Sequence, residues 1–130
     1  RYAGDNLLAP VELDVSARPW SIAGLQDALF TANSLHIMPW CSVEDLFAEL
    51  GELAGNGTVL AVYGPFNYAG QYASESNARF DEWLAARDPA SAIRGFEAVD
   101  ALAQAAGFRL LEDNAMPANN RLIAWVRNAP

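Results

Sequence analysis

The chain has 130 residues, 52% of them hydrophobic, the length of one ordinary domain whose single core could bury about two-thirds of the unfolded surface. Eight basic against sixteen acidic residues give a net charge of −8, and no Lys/Arg cluster could track a phosphate backbone, so neither nucleic acid nor an anionic membrane surface is an expected partner. One cysteine, Cys41, and one histidine, His36, exclude an internal disulfide and a Cys/His zinc cluster. No apolar run reaches the roughly 18 residues of a membrane helix, and the start lacks the basic-then-apolar pattern of a signal peptide. The expected setting is therefore a reducing, cytoplasmic one.

In chain order, Val11-Glu12-Leu13-Asp14-Val15 is a first strand candidate and Gln26 to Asn33 a second, separated by the breakers Arg18-Pro19-Trp20 and Gly24. From Ser42 onward Val43, Leu46, Phe47, Leu50 and Leu53 recur at helical intervals, with Glu44, Asp45, Glu49 and Glu52 on the other face. Ser42 with Asp45 resembles a capping arrangement, and Gly55-Asn56-Gly57 is expected to end this helix in a left-handed turn.

Thr58-Val59-Leu60-Ala61-Val62-Tyr63 is an apolar run of strand length, as expected in the middle of a sheet covered on both faces. It empties into Gly64-Pro65-Phe66-Asn67, a turn flanked by aromatics and an amide. A ligand site at the carboxyl end of such a strand is the natural expectation. Ser74-Glu75-Ser76-Asn77 then leads into a helix over about 77–87, which Asp88-Pro89 stops. A further helix with Val99, Leu102, Ala103 and Ala106 on one face runs to Gly107. Phe108 to Glu112 and Leu122 to Val126 are consecutive strands without a crossover, so they pair antiparallel if they pair with each other. The whole describes an α/β sheet, mostly parallel, with its last strand reversed.

Six groups of residues, in this order, carry a resemblance: Leu13-Asp14-Val15; Phe30 to Ile37 with Pro39-Trp40; Tyr63-Gly64-Pro65-Phe66; Ser76 to Asp81; Arg87-Asp88-Pro89; and Met116-Pro117-Ala118-Asn119-Asn120. Together they resemble the methyltransferase-like family designated domain of unknown function 938, within the class I S-adenosylmethionine-dependent methyltransferases. The match runs from Pro10 to Arg127 and implies a Rossmann-like fold with S-adenosylmethionine as cofactor. Family members open with a strand and a glycine-rich turn that holds the methionine part of the cofactor, then a strand ending in an acidic residue for the ribose. Neither has a counterpart in this chain. The resemblance therefore implies a single, incomplete domain over 1–130, N-terminally truncated, with strands three through seven of seven and half of a cofactor crevice. Without the glycine turn, little activity is expected. It also implies that strand four is left as a free edge, through which the chain could pair with another copy as a homo-oligomer.

Under that resemblance Asp14 matches the residue that accepts from the adenine amino group, with the Val15 backbone beside it; the plainer alternative is a turn aspartate. Asn33 and Ser34 end the next strand, at the floor of the crevice where cofactor and acceptor meet, or else satisfy local backbone groups. His36 could take a proton at neutral pH, although a lone histidine is more often a structural residue. Methyl transfer is an in-line displacement in which alignment matters most and a base is needed only when the nucleophile must lose a proton.

Tyr63 and Phe66 are expected at a pocket wall, with Asn67 beyond them, whereas Trp40 reads as packing. Ser76 and Asn77 read first as helix caps, with anion binding left open. Asn119 and Asn120 are turn formers that the resemblance places on the substrate side. The combined expectation is a methyltransferase domain acting on a small molecule or a protein. The alternatives are a non-catalytic binding or scaffold module on the same fold and, more remotely, a nucleotide-binding oxidoreductase.

Overall fold

The computed structural model describes residues 7–128. Its main sheet has four strands in the order β1-β2-β6-β5. Strands β1 (Gln26–Ala32) and β2 (Ala54–Gly64) run parallel and are joined by helix α1 (Trp40–Leu53). A two-residue strand β3 (Phe66–Asn67) follows, then helix α2 (Glu75–Arg87), strand β4 (Arg94–Gly95) paired with β3, and helix α3 (Phe96–Ala105). Strands β5 (Phe108–Met116) and β6 (Asn120–Arg127) form the terminal hairpin, and β6 lies antiparallel between β2 and β5. This is the α/β sheet with a reversed last strand that the sequence predicts.

Alternation along the strands decides which face is covered. Leu60, Val62, Ile123 and Trp125 join Val43, Phe47 and Leu50 of α1 and Val99 and Ala103 of α3 in one core. Phe47 meets Trp125 edge to face, with ring centroids 6.4 Å apart, and the Trp125 indole N–H donates to Asp100 of α3 at 2.8 Å. On the opposite face Val59, Ala61 and Tyr63 are only partly buried, and Phe30 of β1 is 68% exposed. The centre of the sheet is therefore covered fully on one face only, where the sequence reading expected two. Strand β1 forms one edge of the sheet, in line with the free edge expected of it.

Three expectations need correction. Residues 11–15 form no strand: nothing among the described residues pairs with them, and an extended segment without a ladder gains no hydrogen bonds. The chain instead turns at Asp14, whose carbonyl accepts from Ala17 N–H at 3.0 Å. Four strands, not five, make up the main sheet.

Helix α1 begins at Trp40 rather than Ser42, because Pro39, preset near helical φ, accepts from Ser42 and Val43 N–H at 2.9 and 3.1 Å. Ser42 makes no cap; its hydroxyl meets that of Ser16 at 3.1 Å. The helix also ends without a left-handed residue. Ala54 is extended, and the Arg127 guanidinium donates to the carbonyl of Gly51 at 2.7 Å. Gly57 is left-handed, with φ +85°, but inside β2, where the register against β1 slips between Gln26 and Ala28.

The third correction concerns α2. Its cap is Ser74, whose Oγ accepts from Asn77 N–H at 3.1 Å, so Ser76 and Asn77 lie within the helix. Among the described residues no helix is long and apolar enough to cross a membrane.

Candidate functional site at the carboxyl ends of β1 and β2

Strand β1 ends at Ala32, and Asn33 turns the chain with φ +54° while its N–H still reaches the carbonyl of Tyr63 at 2.8 Å. Asparagine tolerates this left-handed conformation better than most residues. Two hollows open at this turn, and consecutive residues line them. Ser34 lines an apolar hollow of about 300 Å³ and Asn33 a polar one of about 310 Å³.

The apolar hollow is walled by Val15, Leu29 and Met38, with Leu46, Leu50 and Leu60 behind them. Its polar edge is the hydroxyl pair Thr31 and Ser34, 2.5 Å apart. Trp20 anchors the segment that closes it: the indole N–H donates to Val15 O at 3.0 Å and its backbone N–H to Glu49 Oε2 at 3.1 Å.

The polar hollow brings together Asn33, His36, Asn77 and Asn120, with Pro65, Phe80 and Ala118 as apolar walls. Asn120 Nδ2 donates to the Tyr63 hydroxyl at 3.3 Å, which puts Tyr63 beside the hollow. Ser76 and Asn119 meet at its outer rim, Asn119 Nδ2 donating to Ser76 Oγ at 3.3 Å. Ala118 and Asn119 both have φ +61°, a conformation that costs a side chain of ordinary type about 1–2 kcal/mol.

His36 is buried, 7% exposed. Its ring meets Phe80 edge to face at 5.5 Å, and among the described residues neither ring nitrogen has a hydrogen-bond partner. Burial first, and the charge of Arg94 second, hold its pKa below the ordinary value of 6.5. The loop that carries it is clamped from three sides. Ala92 N–H donates to His36 O at 3.0 Å, Ser91 Oγ to Ile37 O at 3.1 Å, and the Arg94 guanidinium to Leu35 O and Met38 O at 3.1 and 2.6 Å. A neutral imidazole on a fixed loop can accept a proton from a ligand.

Not every predicted site residue converges here. Asp14 is exposed and outside both hollows, and its Oδ1 accepts from Ser16 N–H at 3.0 Å in a local turn. Phe66 is 2% exposed and belongs to the core, a correction to its expected place on a pocket wall. Asn67 lies just beyond, in β3. Sequence reasoning missed Pro65, Phe80 and Ala118 as wall residues. The signal for Phe80 was its position three residues after Asn77, which puts both on one face of α2.

Adenine, the flat apolar end of S-adenosylmethionine, suits the lining of the apolar hollow: aliphatic, aromatic and thioether walls with the Thr31 and Ser34 hydroxyls and the Gln26 amide as its polar groups. Among the described residues no glycine-rich turn stands beside it for the methionine end. The fit is thus to part of the cofactor.

Among solved structures the chain resembles an O-methyltransferase family 2 protein from Planctomyces limnophilus in complex with apigenin, at 15% identity, with 88% of this chain and 34% of that one covered and a TM-score of 0.75. A putative O-methyltransferase from Nostoc punctiforme matches at 15% identity, 84% and 34% coverage and a TM-score of 0.72. Human N-acetylserotonin methyltransferase in complex with S-adenosylmethionine matches at 14% identity, 79% and 30% coverage and a TM-score of 0.70. At such identities the likeness is one of fold. The chain spans about a third of the length of the solved structures it matches. The model of the family described as "Protein of unknown function (DUF938)" matches residues 1–127, so the chain belongs to that family.

Proposed function

We propose that this chain is an S-adenosylmethionine-dependent methyltransferase domain acting on a small molecule or a protein. One observation carries the reading: Ser34 lines the apolar hollow and Asn33, the residue before it, the polar one, so two hollows of different chemistry open at the same turn. Consecutive Cα atoms lie only about 3.8 Å apart, so a cofactor seated by its adenine end in the first hollow can present its methyl group past the rim to an acceptor in the second. In this reading Val15 and Met38 hold the adenine end, Ser34 marks the rim, and Asp14 reaches the adenine amino group once its turn opens.

When bound, the cofactor supplies an electrophilic methyl group on a sulfonium. The protein's part is alignment and proton handling. Asn33, Asn77 and Asn120 orient the acceptor, with Tyr63, Ser76 and Asn119 at the margin and Asn67 behind. His36 would take the proton that an acceptor hydroxyl gives up on methylation, and Phe80 keeps the ring facing the hollow.

The scaffold reading is favoured by one observation, the engagement of Asp14 in its own turn away from both hollows. Calorimetry on the full-length protein with S-adenosylmethionine and with NADH separates the readings. Binding of the former alone is expected; binding of neither supports the scaffold, and binding of NADH the oxidoreductase. If the donor binds and Asp14→Ala leaves its affinity unchanged, Asp14 is removed from the site. The same reading places the protein in the cytoplasm and pairs it with a second copy through the free edge of β1, which sedimentation analysis tests: a monomer with that edge exposed would contradict the pairing.

A further inference from the structure

Asn77 is 6% exposed, and its side-chain Nδ2 has no hydrogen-bond partner among the described residues. Leaving such a donor unmet costs about 1–3 kcal/mol, so a native protein keeps one for a reason. Backbone needs do not explain it, because Asn77 N–H is already met by Ser74 Oγ. The amide lines the polar hollow beside His36, Asn33 and Asn120, and no charged side chain is among the lining residues. Arg94, whose charge reaches His36, already donates to Leu35 O, Met38 O and Ala90 O. A carboxylate or phosphate entering the hollow would find no cationic side chain in its lining to pair with directly.

We propose that Asn77 is a recognition residue for an uncharged acceptor, donating from Nδ2 to one oxygen of a flat, hydroxylated ring that lies against Phe80 and Pro65. A second oxygen of that ring presents its hydrogen to His36. The assignment rests on the reading of this hollow as the acceptor site and deepens it by naming the acceptor's chemistry.

The test uses the full-length protein and two probes of one skeleton, neutral ortho-hydroxyacetophenone and anionic salicylate, followed by NMR of the side-chain amides. The neutral probe is expected to shift the Asn77 amide signals and to bind about tenfold more tightly than salicylate; Asn77→Leu should weaken it by about tenfold while leaving Tm unchanged or higher, as removal of an unmet buried donor predicts. An unmoved Asn77 signal, equal binding of salicylate, or full affinity in the Leu variant would each overturn the proposal. Should the Leu variant fail to fold, the amide shift in the unsubstituted protein decides alone. Probe binding needs no methyl donor, so a protein that binds the neutral probe at Asn77 and ignores S-adenosylmethionine would refute methyl transfer and leave this assignment standing.

Discussion

The two ends of the sheet handle their polar groups in opposite ways. At the amino-terminal end of β2 those groups are met from within. Glu49 takes the Arg18 guanidinium at 2.9 Å and Trp20 N–H at 3.1 Å, Thr58 Oγ1 donates to Gln26 O, and Arg127 closes the carbonyls at the end of α1. At the carboxyl end, Asn67 Oδ1, Asn77 Nδ2 and the His36 ring nitrogens have no partner among the described residues, and four residues other than glycine, Asn33, Ala69, Ala118 and Asn119, stand in the left-handed region. One end holds the fold together; the other leaves hydrogen-bonding capacity unmet, at a cost in stability.

Substitutions at the two ends should therefore separate stability from binding. The largest effect is expected at the satisfied end. Glu49 is 3% exposed, and Glu49→Ala should lower the unfolding free energy by about 2–3 kcal/mol in urea titrations, the scale of lost hydrogen bonds to a buried charge, while the affinity of the polar hollow for its ligand stays the same. The same carboxylate gives a pH signature. Its hydrogen bonds to Arg18 and then to Trp20 hold its pKa below 4.5, so its contribution is full above that pH and is lost as pH falls through the lowered value. Acid unfolding of Glu49→Gln should lack this component.

At the open end, relief of strain is expected rather than loss. Ala118→Gly should raise stability by about 1 kcal/mol, read by the same titration, because φ +61° suits glycine. If Ala118→Gly destabilises instead, the loop is not strained as described. The smallest effect belongs to His36. With its folded pKa lowered by burial and by Arg94, the unfolded chain binds its proton first, so stability is full above pH 6.5 and declines slightly below it. His36→Gln should remove this slope. An unchanged slope would place the titration elsewhere.

How much of this was legible in the sequence follows the same division. The apolar run 58–63, the helical spacing of Val43, Leu46, Phe47, Leu50 and Leu53, and the terminal pair of strands are local patterns, and the structure realises each. Capping was misread where serines compete: Ser74 rather than Ser76 caps α2, and Pro39 made Ser42 redundant. The segment 11–15 has strand composition, but pairing is a property of neighbours and not of composition. For the candidate site, Asn33 and His36 could be named from their place at and after a strand end, Asn77 from its place at a helix start, and Asn120 through the family resemblance. Pro65 and Ala118 could not, since nothing local brings residues 53 positions apart to one wall.

The central claim is the proposal that the hollow lined by Ser34 takes the methyl donor and the hollow lined by Asn33 the acceptor. Backbone amide NMR of the full-length protein during titration with S-adenosylmethionine tests it most directly. Shifts at Val15, Asn33 and Ser34, with Gly51 and Arg127 unmoved, are the predicted result. Shifts confined to the Gly51–Arg127 end, or none at saturating donor, would contradict the account.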